Sequence, residues 1–217
     1  MIPTPRVPST DPAAPSAAAP PDSPLVVVTG LPRSGTSLVM GLLAAAGQPL
    51  LTDHHRPADP DNPRGYHEFQ PVKSLMRDNT WLQSQRGSAV KIISTLLPFI
   101  PPDLPLKIIL IQRRLAEVLA SQAAMLARAG LSSAPTALLA AAWQKQNAQT
   151  LDFITNRPRT GVLILPHHEL LENPLPWLER LLAFLPHLRQ DPRALLPAID
   201  PTLHRQKIEN PPSLENQ

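Results

Sequence analysis

The sequence predicts an α/β fold, a doubly wound, mostly parallel sheet flanked by helices. Three observations predict it. Short apolar runs rich in β-branched residues recur at 25–28, 89–93 and 107–112, the pattern of strands buried on both faces of a parallel sheet. Stretches with apolar residues at helical spacing lie between and after them. The first run also passes through Thr29-Gly30 into such a stretch, the strand–turn–helix order of an anion-binding loop.

Taken in order, the chain opens on a segment that holds eight of its 29 prolines before residue 25, together with an alanine run. Such a composition cannot bury enough apolar surface to offset ordering entropy. Residues 1–23 are therefore expected as a disordered tail, 24–208 as one domain, and 209–217 as a flexible end. The strand at 25–28 is followed by a helix carrying Leu38, Val39, Leu42, Leu43 and Ala46, with Gly47 as its cap. Residues 51–69 have no period, and a connection of that length is usually functional. A helix is expected over 72–82, strands over 89–93 and 107–112, and an amphipathic helix from Leu115 that Gly130 closes. Pro135 opens another long helix to about Asn156, a fourth strand covers 161–165, and a last helix covers 174–185.

Composition excludes several classes. There is no cysteine, hence no disulfide scaffold, thiolate nucleophile or cysteine zinc site. Apolar runs are too short for a membrane span, and the N-terminus lacks a signal-peptide pattern. A soluble, cytoplasmic protein with no membrane partner is expected. Net charge is +3 and aromatic residues are 4%, with no basic stripe, so no nucleic-acid partner is expected. A modest positive excess suits a pocket for a small polyanion.

The strongest local signal runs from Gly30 to Ser37, Gly-Leu-Pro-Arg-Ser-Gly-Thr-Ser. Gly30 and Gly35 have the spacing of a nucleotide-hydrolase loop and Ser37 closes it, but Thr36 stands where that motif needs lysine. The loop keeps its converging backbone N–H groups and the helix N-terminus. Its cation is Arg33. The strands ending in Gln112-Arg113-Arg114 and Pro166-His167-His168 supply no magnesium carboxylate, which argues against ATP or GTP hydrolysis.

Gly30–Ser37 resembles the 5′-phosphosulfate loop of the sulfotransferases, whose P-loop-like fold binds 3′-phosphoadenosine 5′-phosphosulfate (PAPS). Arg113 through Ser121 resembles that family's 3′-phosphate site, an arginine after a strand and a serine eight residues on. Segments 59–69, 168–174 and 199–205 also resemble parts of bacterial sulfotransferase-family proteins. The resemblance implies a PAPS-dependent sulfotransferase. Pro32, Arg33, Ser34, Gly35, Thr36, Ser37, Arg113 and Ser121 are then expected to hold PAPS, with Arg205 and Lys207 as the candidate substitutes for an absent Arg-Lys-Gly element. Lys91 is followed by Ile92-Ile93-Ser94, without the histidine that cytosolic members present there.

Sulfuryl transfer asks for a cation near the bridging oxygen, donors around the sulfuryl oxygens and a base for the acceptor proton. Arg33 and the backbone of residues 34–37 suit the first two roles, and Lys91 adds charge. For the base, Glu68 resembles the acidic residue that some members present from this region, and His67 is its neighbour. Asp53, His54, His55 and His67 are scattered without metal geometry, so no metal is expected. The acceptor is expected to be a small molecule or glycan bearing a hydroxyl or amine. A P-loop small-molecule or nucleotide kinase and a non-catalytic nucleotide- or phosphate-binding module of the same fold remain the alternatives.

Overall fold

Leu25–Thr29 (β1) is buried at all five positions, as its unbroken apolar run demands. It pairs in parallel with Ala89–Lys91 (β2) on one side and Leu106–Gln112 (β3) on the other, and β3 pairs in parallel with Thr160–Pro166 (β4). The computed structural model describes residues 23–53, 55–59 and 62–207. The expected terminal tails fall outside these apart from Ser23, and so does His54.

The sheet order is β2-β1-β3-β4. The order in which successive strands are added reverses between β1 and β3, and the crevice beyond their C-terminal ends is where ligands settle in such sheets. Two cores flank the sheet. On one face Val26, Val28, Ile109 and Ile111 pack with Val39, Met40 and Leu43 of Thr36–Ala45 (α1) and Leu178 and Leu181 from near the C-terminus. On the other, Leu25, Val27, Ile108 and Leu110 pack with Leu75, Leu82, Leu97 and Ile154. β4 ends the sheet on one side, and Val162 and Ile164 remain 36% and 38% exposed there.

Helices Leu115–Arg128 (α2) and Thr136–Asn156 (α3) join β3 to β4. His167–Glu172 (α4) and Pro174–Phe184 (α5) follow β4. The expected helix over 72–82 is not one helix. Two 3₁₀ segments, Gln70–Ser74 and Thr80–Gln85, stand in its place, and Asp78 accepts from the Thr80 backbone and hydroxyl between them. The strand expected over 89–93 ends at Lys91: after the Ile92 N–H bonds the Val28 carbonyl, the chain turns into another 3₁₀ segment, Ser94–Phe99. Ile93 is left 45% exposed. Two more 3₁₀ segments, Pro192–Ala198 and Pro201–Leu203, carry the chain back toward the phosphate loop.

Candidate functional site

β1 delivers the Gly30–Ser37 loop to the sheet crevice. A Cβ on Gly30 would lie 2.5 Å from Ser34 Oγ and 2.8 Å from the Ile111 carbonyl oxygen, so glycine is what lets the turn close. Gly35 has φ +105°, and a Cβ there would come 2.7 Å from Cδ2 of His167. Arg33 is left-handed, at φ 67°, although it is not glycine. α1 starts at Thr36 with no side chain capping it and no acidic residue in its first turn. Its N-terminus therefore keeps its positive end directed at the loop.

The loop is locked to α2. Arg33 Nε donates to Ser121 Oγ at 3.1 Å, and Arg113 Nη1 donates to the Arg33 carbonyl oxygen at 3.1 Å. Arg113 Nε also pairs with Glu117 Oε2 at 2.9 Å. His204, brought in by the C-terminal segment, donates to that same oxygen at 2.8 Å. Burial alone would raise the Glu117 carboxyl, but the bonds from Arg113 and His204 outweigh it and hold the group below the ordinary carboxylate value. The His167 ring stands edge-on to His204 at 5.1 Å. Burial, aided by the charge of Arg113, pushes His167 down to about 3, so its imidazole is neutral.

The aperiodic segment folds over the other side of the loop. Ser37 Oγ donates to the Tyr66 carbonyl oxygen at 3.3 Å and accepts from Asn62 Nδ2 at 3.0 Å. The ammonium of Lys91 also donates to the Tyr66 carbonyl. The Tyr66 hydroxyl donates to the Asp59 carboxylate at 2.8 Å, and the Arg56 guanidinium lies 3.3 Å above the Tyr66 ring. Glu68 Oε1 is 3.1 Å from Arg56 Nη1 and 4.0 Å from Lys91 Nζ. Burial pushes Lys91 down to about 8, with Glu68 pulling it back up and Arg56 pushing it further down.

One cavity of about 670 Å³ gathers these groups. Pro32, Arg33, Gly35, Thr36, Ser37, His67, Glu68, Lys91, Arg113, Ser121 and Arg205 all line it. Ser34 does not: its side chain is turned under the loop, 2% exposed, and its hydroxyl has no partner. Arg33 reaches toward Ser121 rather than toward Lys91. Cationic side chains outnumber carboxylates seven to two on the described walls, which suits an anionic ligand with several charges. A second cavity of about 310 Å³ lies against the first and shares His67 and Glu68 with it.

Sequence reasoning missed His167 and His204. It placed His167 at a strand-to-helix junction, which is where it sits, but not beneath Gly35. The available signal was its position directly after β4, on the same sheet end as Gly30 and Arg113. The scattered residues 53–67 do not form a metal group among the described residues. Glu117, His167 and His204 do come together, with ligand atoms within 4.8 Å. Arg113 already holds that carboxylate and adds its own positive charge, which opposes a second cation there. Ser37, the hydroxyl that ligates magnesium in nucleotide hydrolases, is engaged instead by Asn62 and Tyr66.

No protein-family model and no curated protein matches the chain. Solved structures do. The sulfotransferase domain from the Synechococcus PCC 7002 olefin synthase is similar over 88% of this chain and 90% of its own, at 18% identity and a TM-score of 0.53. The chain has the sulfotransferase fold. The sulfotransferase domain from the curacin biosynthetic pathway is similar at 16% identity, over 82% of this chain and 78% of its own, with a TM-score of 0.48. A sugar kinase from Janibacter sp. HTCC2649 is similar at 14% identity, over 79% of this chain and 98% of its own, with a TM-score of 0.41. In this sulfotransferase-fold chain, no helix among the described residues is long and apolar enough to cross a membrane.

Proposed function

We propose that this chain is a sulfotransferase that moves a sulfuryl group from PAPS to a hydroxyl or amine of a small-molecule or glycan acceptor. The observation that carries the reading is a single cavity in which a lysine-free phosphate loop, Lys91 and the Glu68 carboxylate meet. The fit to PAPS rests on the chain's own features. The N-terminus of α1 is uncapped and directed at the loop, and the walls are strongly cationic. Pro32–Ser37 would hold the 5′ end, while Arg113, Ser121 and Arg205 would hold the 3′-phosphate. PAPS supplies the activated sulfuryl group and its phosphate leaving group.

The chain's residues do the rest. Arg33 and the backbone of the loop orient anionic oxygens and stabilise charge that grows on the leaving side. Lys91 presents a buried ammonium next to Glu68. Glu68 takes the acceptor's proton, a role supported by its lining both cavities. The kinase alternative lacks a lysine at Thr36 and a carboxylate at Gln112 or Pro166, the parts with which a phosphate-loop enzyme holds a magnesium triphosphate.

The test has two stages. A thermal-shift comparison of adenosine 3′,5′-bisphosphate (PAP), ATP with magnesium, and sulfate should show selective stabilisation by PAP. Selective stabilisation by magnesium ATP would instead favour the kinase. Sulfuryl release from PAPS is then measured for wild type, Glu68→Gln and His67→Ala. Glu68→Gln should lower turnover by roughly 10²–10⁴ and leave PAP affinity within a small factor. Retained turnover in Glu68→Gln with loss in His67→Ala would move the base to the histidine. PAP binding without any turnover in wild type would favour the non-catalytic module.

A further inference from the structure

The acceptor-side segment is tied to the phosphate loop through a small set of bonds, and one side chain closes it. Asn62 Nδ2 donates both to Ser37 Oγ at 3.0 Å and to the Gly65 carbonyl oxygen at 2.6 Å. The Gly65 N–H returns to the Asn62 carbonyl at 3.0 Å, and the Asn62 N–H is held by Asp59 Oδ1 at 2.9 Å. Residues 62–65 thus form a closed turn, with Gly65 at φ +86°. Glu68 follows three residues later.

Among the described residues, two further bonds across this seam end on the Tyr66 carbonyl oxygen, which accepts from Ser37 Oγ and from Lys91. A hydroxyl has one proton and an ammonium three, and an anion brings only lone pairs. An anionic oxygen seated in the phosphate loop therefore competes with Tyr66 for the Ser37 proton and draws on the Lys91 ammonium. The Asn62 bond is of a different kind: the amide spends both of its protons, on Ser37 Oγ and on the Gly65 carbonyl within the closed turn, and by filling a Ser37 lone pair it leaves that hydroxyl's proton for the anion. It survives occupancy when the Tyr66 bonds weaken.

We propose that Asn62 is a positioning residue that keeps the Glu68 segment docked on the phosphate loop once an anion has entered. This rests on the sulfotransferase reading in one respect, that the loop binds an anion. The consequence is specific: loss of the Asn62 amide matters little in the empty protein and much in the anion-bound one. Occupancy and loop position are then coupled through this amide.

Amide hydrogen exchange on the full chain reads this directly, with PAP and inorganic phosphate as separate probes. In wild type, PAP should slow exchange over 30–37 and leave 62–69 as slow as before or slower. In Asn62→Ala, PAP should still slow 30–37 but speed exchange over 62–69 by at least fivefold relative to the empty variant. Asn62→Leu, which keeps the size and removes the donor without adding charge, should behave as Asn62→Ala and guards against a folding defect in either one. Equal protection of 62–69 by PAP in wild type and both variants would overturn the proposal, as would equally fast exchange there in the empty variants. Phosphate protecting 30–37 where PAP does not would sink the cofactor reading while the Asn62 comparison proceeds with phosphate. Protection of 30–37 by neither anion would overturn both.

Discussion

Lys91 places a charge where the fold opposes it, and the opposition can be measured. Its side chain is 9% exposed, and burial lowers it from 10.5 to about 8. At about 1.4 kcal/mol per pH unit, that difference disfavours the charged, folded lysine by about 3 kcal/mol. Lys91→Met keeps the length of the side chain, removes the charge and loses the bond to the Tyr66 carbonyl, worth about 1 kcal/mol. The variant should be more stable than wild type at pH 7 by about 2 kcal/mol. For a domain of this size that is a rise in Tm of about 4–8 °C. The pH dependence fixes the cause. Below about 8 the lysine is protonated in both states and the full penalty is present. Between about 8 and 10.5 the unfolded chain binds a proton that the folded chain does not, so wild-type stability climbs with pH relative to the variant. Thermal melts of both proteins from pH 7 to 10.5 should show the advantage of Lys91→Met shrinking across that window. A variant less stable than wild type at pH 7, with a gap that does not change with pH, would refute the reasoning. The same variant should lose PAPS turnover, since the ammonium faces the cavity.

Gly35→Ala combines a left-handed backbone with a Cβ 2.7 Å from the buried His167 ring. It should cost about 2–5 kcal/mol in denaturant unfolding, and adding His167→Ala should return the clash part but not the backbone part. Glu117→Gln leaves Arg113 buried beside a neutral partner and should destabilise by about 3–5 kcal/mol at pH 7. Because Glu117 is held below its ordinary value of 4.5, the stability it gives is present above that pH and falls away on acidification, so the gap between wild type and variant should close in acid melts. PAP affinity measured by calorimetry should be unchanged by EDTA or added magnesium; a tenfold dependence would count against a site held by Arg113 and the phosphate loop alone.

What the sequence made legible were the features written in adjacent residues. β1, the glycine spacing and α1 form one continuous signal, because burial on both faces and the turn's steric needs each act within ten residues. The α2 face that carries Ser121 is equally local. The segment at 70–85 misled because Val72, Leu75 and Leu82 satisfy helical spacing, while a 3₁₀ turn has no distinct apolar period to reveal it. The site divides along the same line. Arg33, Lys91 and Arg113 follow strands and could be placed on one sheet end from topology. The Glu117–His204 bond joins residues 87 apart in the chain, and the contact of His167 with Gly35 exists only after β3 and β4 pair in register. Asn62 gave no signal at all, since an asparagine in a proline-rich connection reads first as a turn residue.

The left-handed Arg33 has a bearing on how this protein would age under relaxed selection. A side chain at φ 67° is held against a conformational preference of about 1 kcal/mol or more that glycine does not feel. Drift alone would therefore favour glycine or asparagine at this position, because either relieves the backbone and neither disturbs the buried sheet beneath. A copy of the chain that has exchanged Arg33 for glycine while keeping Gly30, Gly35 and the apolar runs would retain the architecture and give up the guanidinium that reaches Ser121. On the function proposed above, position 33 would separate descendants that still use the cavity from those that inherited only its shape.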